Sequence, residues 1–321
     1  MAETIGILGS GLIGRSWAML FASAGYKVKL FDIEPKQVQG ALKEIESQLK
    51  ELEKTKLLRG KLSAAQQIAL ISGTSNLKDC VTGAFLVQEC TPEILDIKMK
   101  ALRDLDAVVQ APTIISSSTS THMPSVLSKD LKNKERFVVA HPVNPPYYVR
   151  LVEIVPAPYT EEWVPVKVRT LMETIGQVPV SLKKEIAGFS LNRIQYVILN
   201  EVWRQVQEGI LDVADVDKVM SEGLGPRYAF LGALETAHLN AEGMVSYCER
   251  YASTIYSVSQ SMGPIPHMEG KALENIQKQM CERIPLEKLQ ERRQWRDACL
   301  TKLSVLKKEV ESLPVTGLAK K

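Results

Sequence analysis

Three glycines near the start of the chain carry its first chemical signal. Gly9, Gly11 and Gly14 stand as GxGxxG in ILGSGLIGRSWAML, with Ser10, Leu12 and Ile13 completing the loop. In this spacing the first glycine permits a tight turn, the second lets main chain approach a pyrophosphate, and the third lets a helix lie close on a strand. The amides at the helix start then face the anion. Asp32 lies 18 residues beyond Gly14, at the end of the next apolar run. A carboxylate there accepts hydrogen bonds from both ribose hydroxyls of an adenosine and repels a 2′-phosphate, so the combination reads as a site for NAD, not NADP. Arg15 is the nearby cation, and directly after the last glycine it lies more naturally toward the pyrophosphate or solvent.

A second constellation suits proton transfer. His141 closes the apolar run RFVVA and opens the loop HPVNPPYY; Glu153 follows inside LVEIV. A carboxylate within an apolar strand is costly unless a partner satisfies it. Two strands joined by this loop bring Glu153 to one imidazole nitrogen and leave the other for substrate, which fixes the tautomer and stabilises an imidazolium. The alternatives are a structural histidine and a salt bridge on a strand face. Ser117, Ser118, Thr119, Ser120 and Thr121 follow the apolar TII, either as a helix cap or as hydroxyls for a reacting oxygen; Asn192 is likewise a cap, an interdomain bond or a clamp on that oxygen.

These residues need a sheet to hold them. Short apolar runs at Thr4–Leu8, Lys27–Phe31, Phe85–Gln88, Thr113–Ser117, Arg136–Ala140, Leu151–Val155 and Pro179–Leu182 alternate with helical patterns. That order predicts a mainly parallel, Rossmann-like sheet covered by helices. Trp17, Leu20, Phe21 and Ala24 form the sheet-facing stripe of the first helix, and Gly25 stops it. Glu34–Leu58 reads as a long exposed helix with Val38, Leu42, Ile45, Leu49 and Leu52 on one face, followed by a short helix near Ser63–Ile71. After Gly188 the alternation disappears, and helical patterns at Leu191–Val202, Val213–Met220, Met244–Tyr256, Glu269–Cys281 and Leu286–Val310 predict an all-helical second domain. The expected division is an NAD-binding domain over 1–188 and a helical substrate and dimerisation domain over 189–321.

The composition is that of a folded globular chain long enough for two cores: 321 residues, 45% hydrophobic and 24% charged. Forty Lys and Arg against 37 Asp and Glu leave +3, too near neutral for a surface that binds nucleic acid or membrane as a whole. The five cysteines never form CxxC and His122, His141, His238 and His267 are scattered, so no metal site is expected. His122 and His267 read as surface or loop residues, and His238 as a packing or capping group or part of a cleft wall. No GxSxG elbow accompanies Ser120 and His141, which excludes a serine hydrolase. Without a long apolar run or a basic-then-apolar leader, the expected compartment is the cytoplasm.

Together these residues resemble the 3-hydroxyacyl-CoA dehydrogenase superfamily: the glycine fingerprint, the STS at Ser118–Ser120, HPVNPP and LVEIV with His141 and Glu153, and the AGFSLNR junction with Asn192. The resemblance runs through nearly the whole chain. It implies NAD-dependent oxidation of a hydroxyl, with Ser120 contacting the substrate oxygen, His141 as acid/base, Glu153 orienting it and Asn192 supporting the substrate. It also implies that Asp32, Glu93 and Lys98 bind NAD. Composition alone would make Glu93 and Lys98 a solvated pair at a helix start. The resemblance further implies a cytoplasmic homodimer built through the helical domain, with use in some lenses as a structural protein.

The departures from the superfamily bear on the substrate. Ser118 stands where the acyl-CoA enzymes commonly have Asn, Pro142 and Val143 where they have aromatic residues, and GPRYAF where they have a Met-Gly-Pro-like element. These point away from a coenzyme A thioester and toward a small β-hydroxy acid. A free carboxylate needs a cation or several donors in its pocket. Arg227, in the turn-rich GLGPRYAF, is the leading candidate, against a surface or interdomain role.

Overall fold

The period-two alternation of the first half folds into an eight-stranded sheet among residues 3–311, which the computed structural model describes. Its strands are β1 (Thr4–Leu8), β2 (Lys27–Phe31), β3 (Ile71–Thr74), β4 (Ala84–Glu89), β5 (Ile114–Ser117), β6 (Phe137–Pro142), β7 (Leu151–Pro156) and β8 (Val178–Ser181). The spatial order is β3-β2-β1-β4-β5-β6-β7-β8. Neighbours are parallel except β6 and β7, which pair antiparallel. Between β1 and β4 the order of connection reverses, the point at which open sheets of this kind bind ligands beyond their strand ends.

Helices cover both faces: α1 (Leu12–Ser23), α2 (Pro35–Lys54), α3 (Ala64–Ala69), α4 (Leu77–Val81), α5 (Leu95–Val108), α6 (Pro124–Ser128) and α7 (Trp163–Thr174). Ile5, Ile7, Val138, Ala140, Val152 and Ile154 face one core with Trp17 and Leu20 of α1, Ile45 and Leu49 of α2, and Val168 of α7. The alternate residues Leu8, Val87, Ile115, Phe137, Val139 and Val155 face a second core with Leu102 and Leu105 of α5. Gly25 takes φ of +91°, which ends α1 in a left-handed turn that a side chain would strain. The sequence pattern misses β3, whose ISGT is half-buried at its ends and exposed between them, too little for the alternation to register on an edge strand.

The chain divides into two compact units, Met1–Arg193 and Ile194–Lys321, within α8 (Leu191–Gln207). The second unit is helical among its described residues: α9 (Val213–Lys218), a π-helical stretch over Val219–Leu224, α10 (Gly225–Tyr228), α11 (Ala233–Leu239), α12 (Met244–Ser261), α13 (Gly270–Arg283) and α14 (Leu289–Glu311). Its buried core is Val206, Val213 and Val216, with Val202, Leu211, Ile276 and Met280 against it. The segment expected as turn-rich is instead helical, so Arg227 sits on α10. Pro226 falls where the π-helical stretch passes into α10. Among the described residues no helix is long and apolar enough to cross a membrane.

Candidate active site

The loop between β1 and α1 has the geometry its glycines require. Gly9 has φ of +104°, and a Cβ there would come within 2.7 Å of the Cys90 carbonyl oxygen. A Cβ on Gly14 would stand 1.9 Å from the Gly9 carbonyl oxygen, so the close approach of helix and loop depends on its absence. At Gly11, the N-cap of α1, a Cβ would meet nothing within 4 Å. That open cradle in front of the helix amides fits a dinucleotide pyrophosphate. Asp32, at the end of β2, accepts hydrogen bonds from Ser10 N and Oγ at 2.9 and 2.7 Å. Ser10 therefore orients the carboxylate as well as lining the loop. The residues fit NAD.

Strand alternation puts the second group of side chains on one face. Val87 and Glu89, Ile115 and Ser117, and Phe137, Val139 and His141 follow one another along β4, β5 and β6 on the side of α5. The antiparallel register places His141 opposite Glu153, and His141 Nδ1 lies 2.9 Å from Glu153 Oε2. Both are buried, at 5% and 1% exposure. Glu153 Oε1 accepts from the amides of Ser190 and Leu191, at 2.8 and 2.9 Å, where α8 begins. Desolvation raises the carboxyl's pKa, but the imidazole and these two amides outweigh it and hold Glu153 below its ordinary value. With the carboxylate accepting from Nδ1, Nε2 is left as the imidazole's proton acceptor. The Phe189 ring, 5.7 Å from the imidazole, is fully buried on a residue with φ of +50°. A bulky side chain rarely takes this conformation, and its surroundings hold it against His141.

Glu93 and Lys98 depart from the composition-based expectation. Lys98 on α5 is 1% exposed. It donates to both carboxylate oxygens of the fully buried Glu89 at 3.1 and 3.2 Å and to the Thr91 carbonyl at 3.1 Å, and it lies 3.3 Å from Glu93 Oε2. Ser117 Oγ, Thr91 N and Thr91 Oγ also donate to Glu89, which leaves this buried anion fully bonded. The pairing with Glu89, nine residues away on another element, turns an apparent surface lysine into a core residue. Glu93 Oε1 accepts from Thr119 Oγ1 at 2.6 Å, Ser120 N at 3.0 Å and Thr121 Oγ1 at 3.0 Å. Desolvation opposes its ionisation, yet these bonds and the Lys98 charge hold its pKa at about 2.

This network sets the loop after β5. Ser120 Oγ is only 3.4 Å from Glu93, a long bond that leaves the hydroxyl available, while Asn192 Nδ2 donates to the Ser120 carbonyl at 2.7 Å. Asn192 thus acts on Ser120 through the main chain. Ser118 is not part of this surface: its Oγ accepts from Trp17 Nε1 at 3.0 Å and Gln88 Nε2 at 2.7 Å. The site brings together Ser120, His141, Glu153, Asn192, Glu93 and Lys98 through contacts within the first unit. Sequence reasoning missed Glu89, although a carboxylate ending the apolar FLVQE carries the same signal that singled out Glu153. His122, expected at the surface or in a loop, is a half-buried loop residue whose Nε2 has no partner. His238 and His267 are exposed.

Residues 4–186 match the family model for the 3-hydroxyacyl-CoA dehydrogenase NAD binding domain, and 188–279 match the C-terminal domain of the same family. The chain is 51% identical over 312 residues to the human lambda-crystallin homolog, covering 97% of this chain and 98% of that one. It is 32% identical over 237 residues to L-carnitine dehydrogenase of Oceanobacillus iheyensis, covering 74% and 76%. Among solved structures, 5-formyl-3-hydroxy-2-methylpyridine 4-carboxylic acid 5-dehydrogenase, an NAD+-dependent dismutase, shares the fold with a TM-score of 0.82 at 24% identity, over 97% of this chain and 99% of that one.

Proposed function

We propose that this chain, which belongs to the 3-hydroxyacyl-CoA dehydrogenase family, oxidises the 3-hydroxyl of L-gulonate to 3-dehydro-L-gulonate. The observation that carries the acid/base assignment is the buried His141 Nδ1–Glu153 Oε2 contact of 2.9 Å. The substrate assignment rests on the similarity to lambda-crystallins, since QECTPEILDIK, SEGLGPRYAFLGALETAHLNAEGM and RRQWRD resemble the mammalian protein identified as L-gulonate 3-dehydrogenase.

NAD supplies the acceptor for the hydride that leaves C3. The glycine loop with Ser10, Leu12 and Ile13 would hold the pyrophosphate and Asp32 the ribose hydroxyls, and Glu93, with the buried Lys98 paired to it, would complete the NAD site. His141 Nε2 removes the hydroxyl proton as the carbonyl forms. Glu153 remains a carboxylate and stabilises the imidazolium, which lowers the barrier to that transfer without its taking the proton. Ser120 Oγ donates to the substrate oxygen, a bond that strengthens as negative charge develops there. Asn192 holds the Ser120 main chain, and its amide supports the substrate. For the substrate carboxylate the sequence offers Arg227, which is exposed on α10.

We assign 1–188 to the NAD-binding domain and 189–321 to the helical domain, which carries substrate contacts and joins two copies as a cytoplasmic homodimer. Purified protein with NAD and a panel of hydroxy acids and short hydroxyacyl-CoAs provides the test. L-Gulonate should support NADH formation. Oxidation of hydroxyacyl-CoA with no gulonate-dependent signal would keep the dehydrogenase chemistry and reject the substrate, and loss of both would leave the structural lens role.

A further inference from the structure

The dinucleotide loop opens beyond Asp32 into a cavity of about 530 Å³ between α1 and α2. Ser10 and Arg15 line one wall; Glu34, Lys36, Gly40 and Glu44 line the other. The space comes partly from Gly40, where a Cβ would meet nothing within 4 Å. Ser10, which lines it, also holds the Asp32 carboxylate assigned to the ribose hydroxyls, which puts the cavity on the side where a phosphate on the 2′-oxygen would project. Two cations, Arg15 and Lys36, line the cavity. Yet Arg15 Nη1 lies 3.4 Å from Glu44 Oε2, while Arg15 Nε is buried without a partner.

We propose that Glu44 is a second determinant of the choice between NAD and NADP, acting with Asp32 by pairing with Arg15 and withholding that guanidinium from a 2′-phosphate. The inference rests on the reading of Gly9–Asp32 as the dinucleotide site. Asp32 cannot turn aside to admit a phosphate, because the Ser10 amide and hydroxyl both fix it. Glu44 neutralises the guanidinium nearest the pyrophosphate loop. Its side chain is 58% exposed, so its removal costs α2 little packing. An exposed ion pair carries a free energy of at most about 1 kcal/mol, which limits the expected change to about threefold to fivefold in affinity.

The experiment is fluorescence titration of NADH and NADPH, with no substrate present, for the wild type, E44Q, E44A, D32N, R15A and R15A/E44Q. E44Q and E44A should tighten NADPH binding about threefold to fivefold and leave NADH within about twofold. This gain should vanish in R15A/E44Q relative to R15A, because no guanidinium remains to be released. Raising the salt concentration should shrink it. An NADPH-to-NADH affinity ratio unchanged by E44Q and E44A overturns the proposal. A gain that persists in the R15A background also overturns it, since Glu44 would then act by direct repulsion alone. If the wild type binds neither dinucleotide saturably, or D32N leaves both affinities unchanged, the underlying site assignment fails and the inference falls with it.

Discussion

In the first unit Glu89, Lys98, His141 and Glu153 are each at most 5% exposed and each has a charged or ionisable partner within 3.2 Å. In the second, Ile194, Val197, Leu234 and Val245 are between 62% and 75% exposed. The two regions invert the usual placement of polar and apolar groups for different reasons. Burying ionisable groups is costly even when they are paired, and a well-packed apolar replacement is often at least as stable. Their concentration at the ends of β4 and β6 and on the adjoining α5 and β7 therefore points to chemistry as the reason they are there. These exposed apolar side chains are the ones the proposed pairing of two copies would cover. The second unit has the small buried core of Val206, Val213 and Val216 beneath long helices, which suits a region completed by association.

The sharpest way to break this contrast is to remove the buried base. His141→Ala should lower turnover about 100-fold or more, the scale of positioned acid/base catalysis, while NADH binding measured by fluorescence is retained. Near-wild-type turnover by the folded variant would make the His141–Glu153 pair structural and erase the functional half of the comparison.

The apolar half is tested by mass. Light scattering should give twice the 35.7 kDa of one chain. Val245→Asp, at a position 75% exposed on α12, should shift the population toward the monomer with an unchanged circular dichroism spectrum. A wild-type mass that stays at one chain across concentration would show that these faces need no second copy.

A smaller effect separates the charge of Glu153 from its shape. Its folded pKa lies below the ordinary 4.5, so its charge contributes stability that is complete above that value and is lost as pH falls through the lower folded value. Glu153→Gln keeps an acceptor for the Ser190 and Leu191 amides but removes the charge. The melting temperature should fall by a few degrees at neutral pH, and the gap from wild type should narrow below pH 4.5 as the wild-type carboxyl protonates. A gap that stays constant to the acid limit of folding would assign the effect to shape alone.

Much of the site was legible because its signals are local. GxGxxG followed by a helical stripe and Asp32 specifies a strand, a turn and a helix within 32 residues, and the structure has β1, α1 and β2 in those places. The His141–Glu153 contact was legible for a related reason: two short apolar runs joined by a proline-rich loop pair as neighbours, and an uncompensated carboxylate within one of them requires a partner. Lys98 had no such signature. On α5 it stands between Ile97 and Met99 with Asp96 and Lys100 beyond them, the mixed pattern of a half-solvated helix, and only the approach of β4 with Glu89 makes it a buried cation.

The sequence by itself determined the alternation of strands and helices, the dinucleotide loop and the pair of groups suited to proton transfer, because each depends on side-chain period or on residues a turn apart. Tertiary structure decided which hydroxyl remains available on the loop after β5, since Glu93 and Asn192 reach Ser120 from 27 and 72 residues away. It also decided that Arg227 lies on a helix and that β3 joins the sheet edge. Contacts between segments so far apart leave no periodic trace in the chain, because the free energy that selects them comes from desolvation and hydrogen bonds formed only when the elements meet.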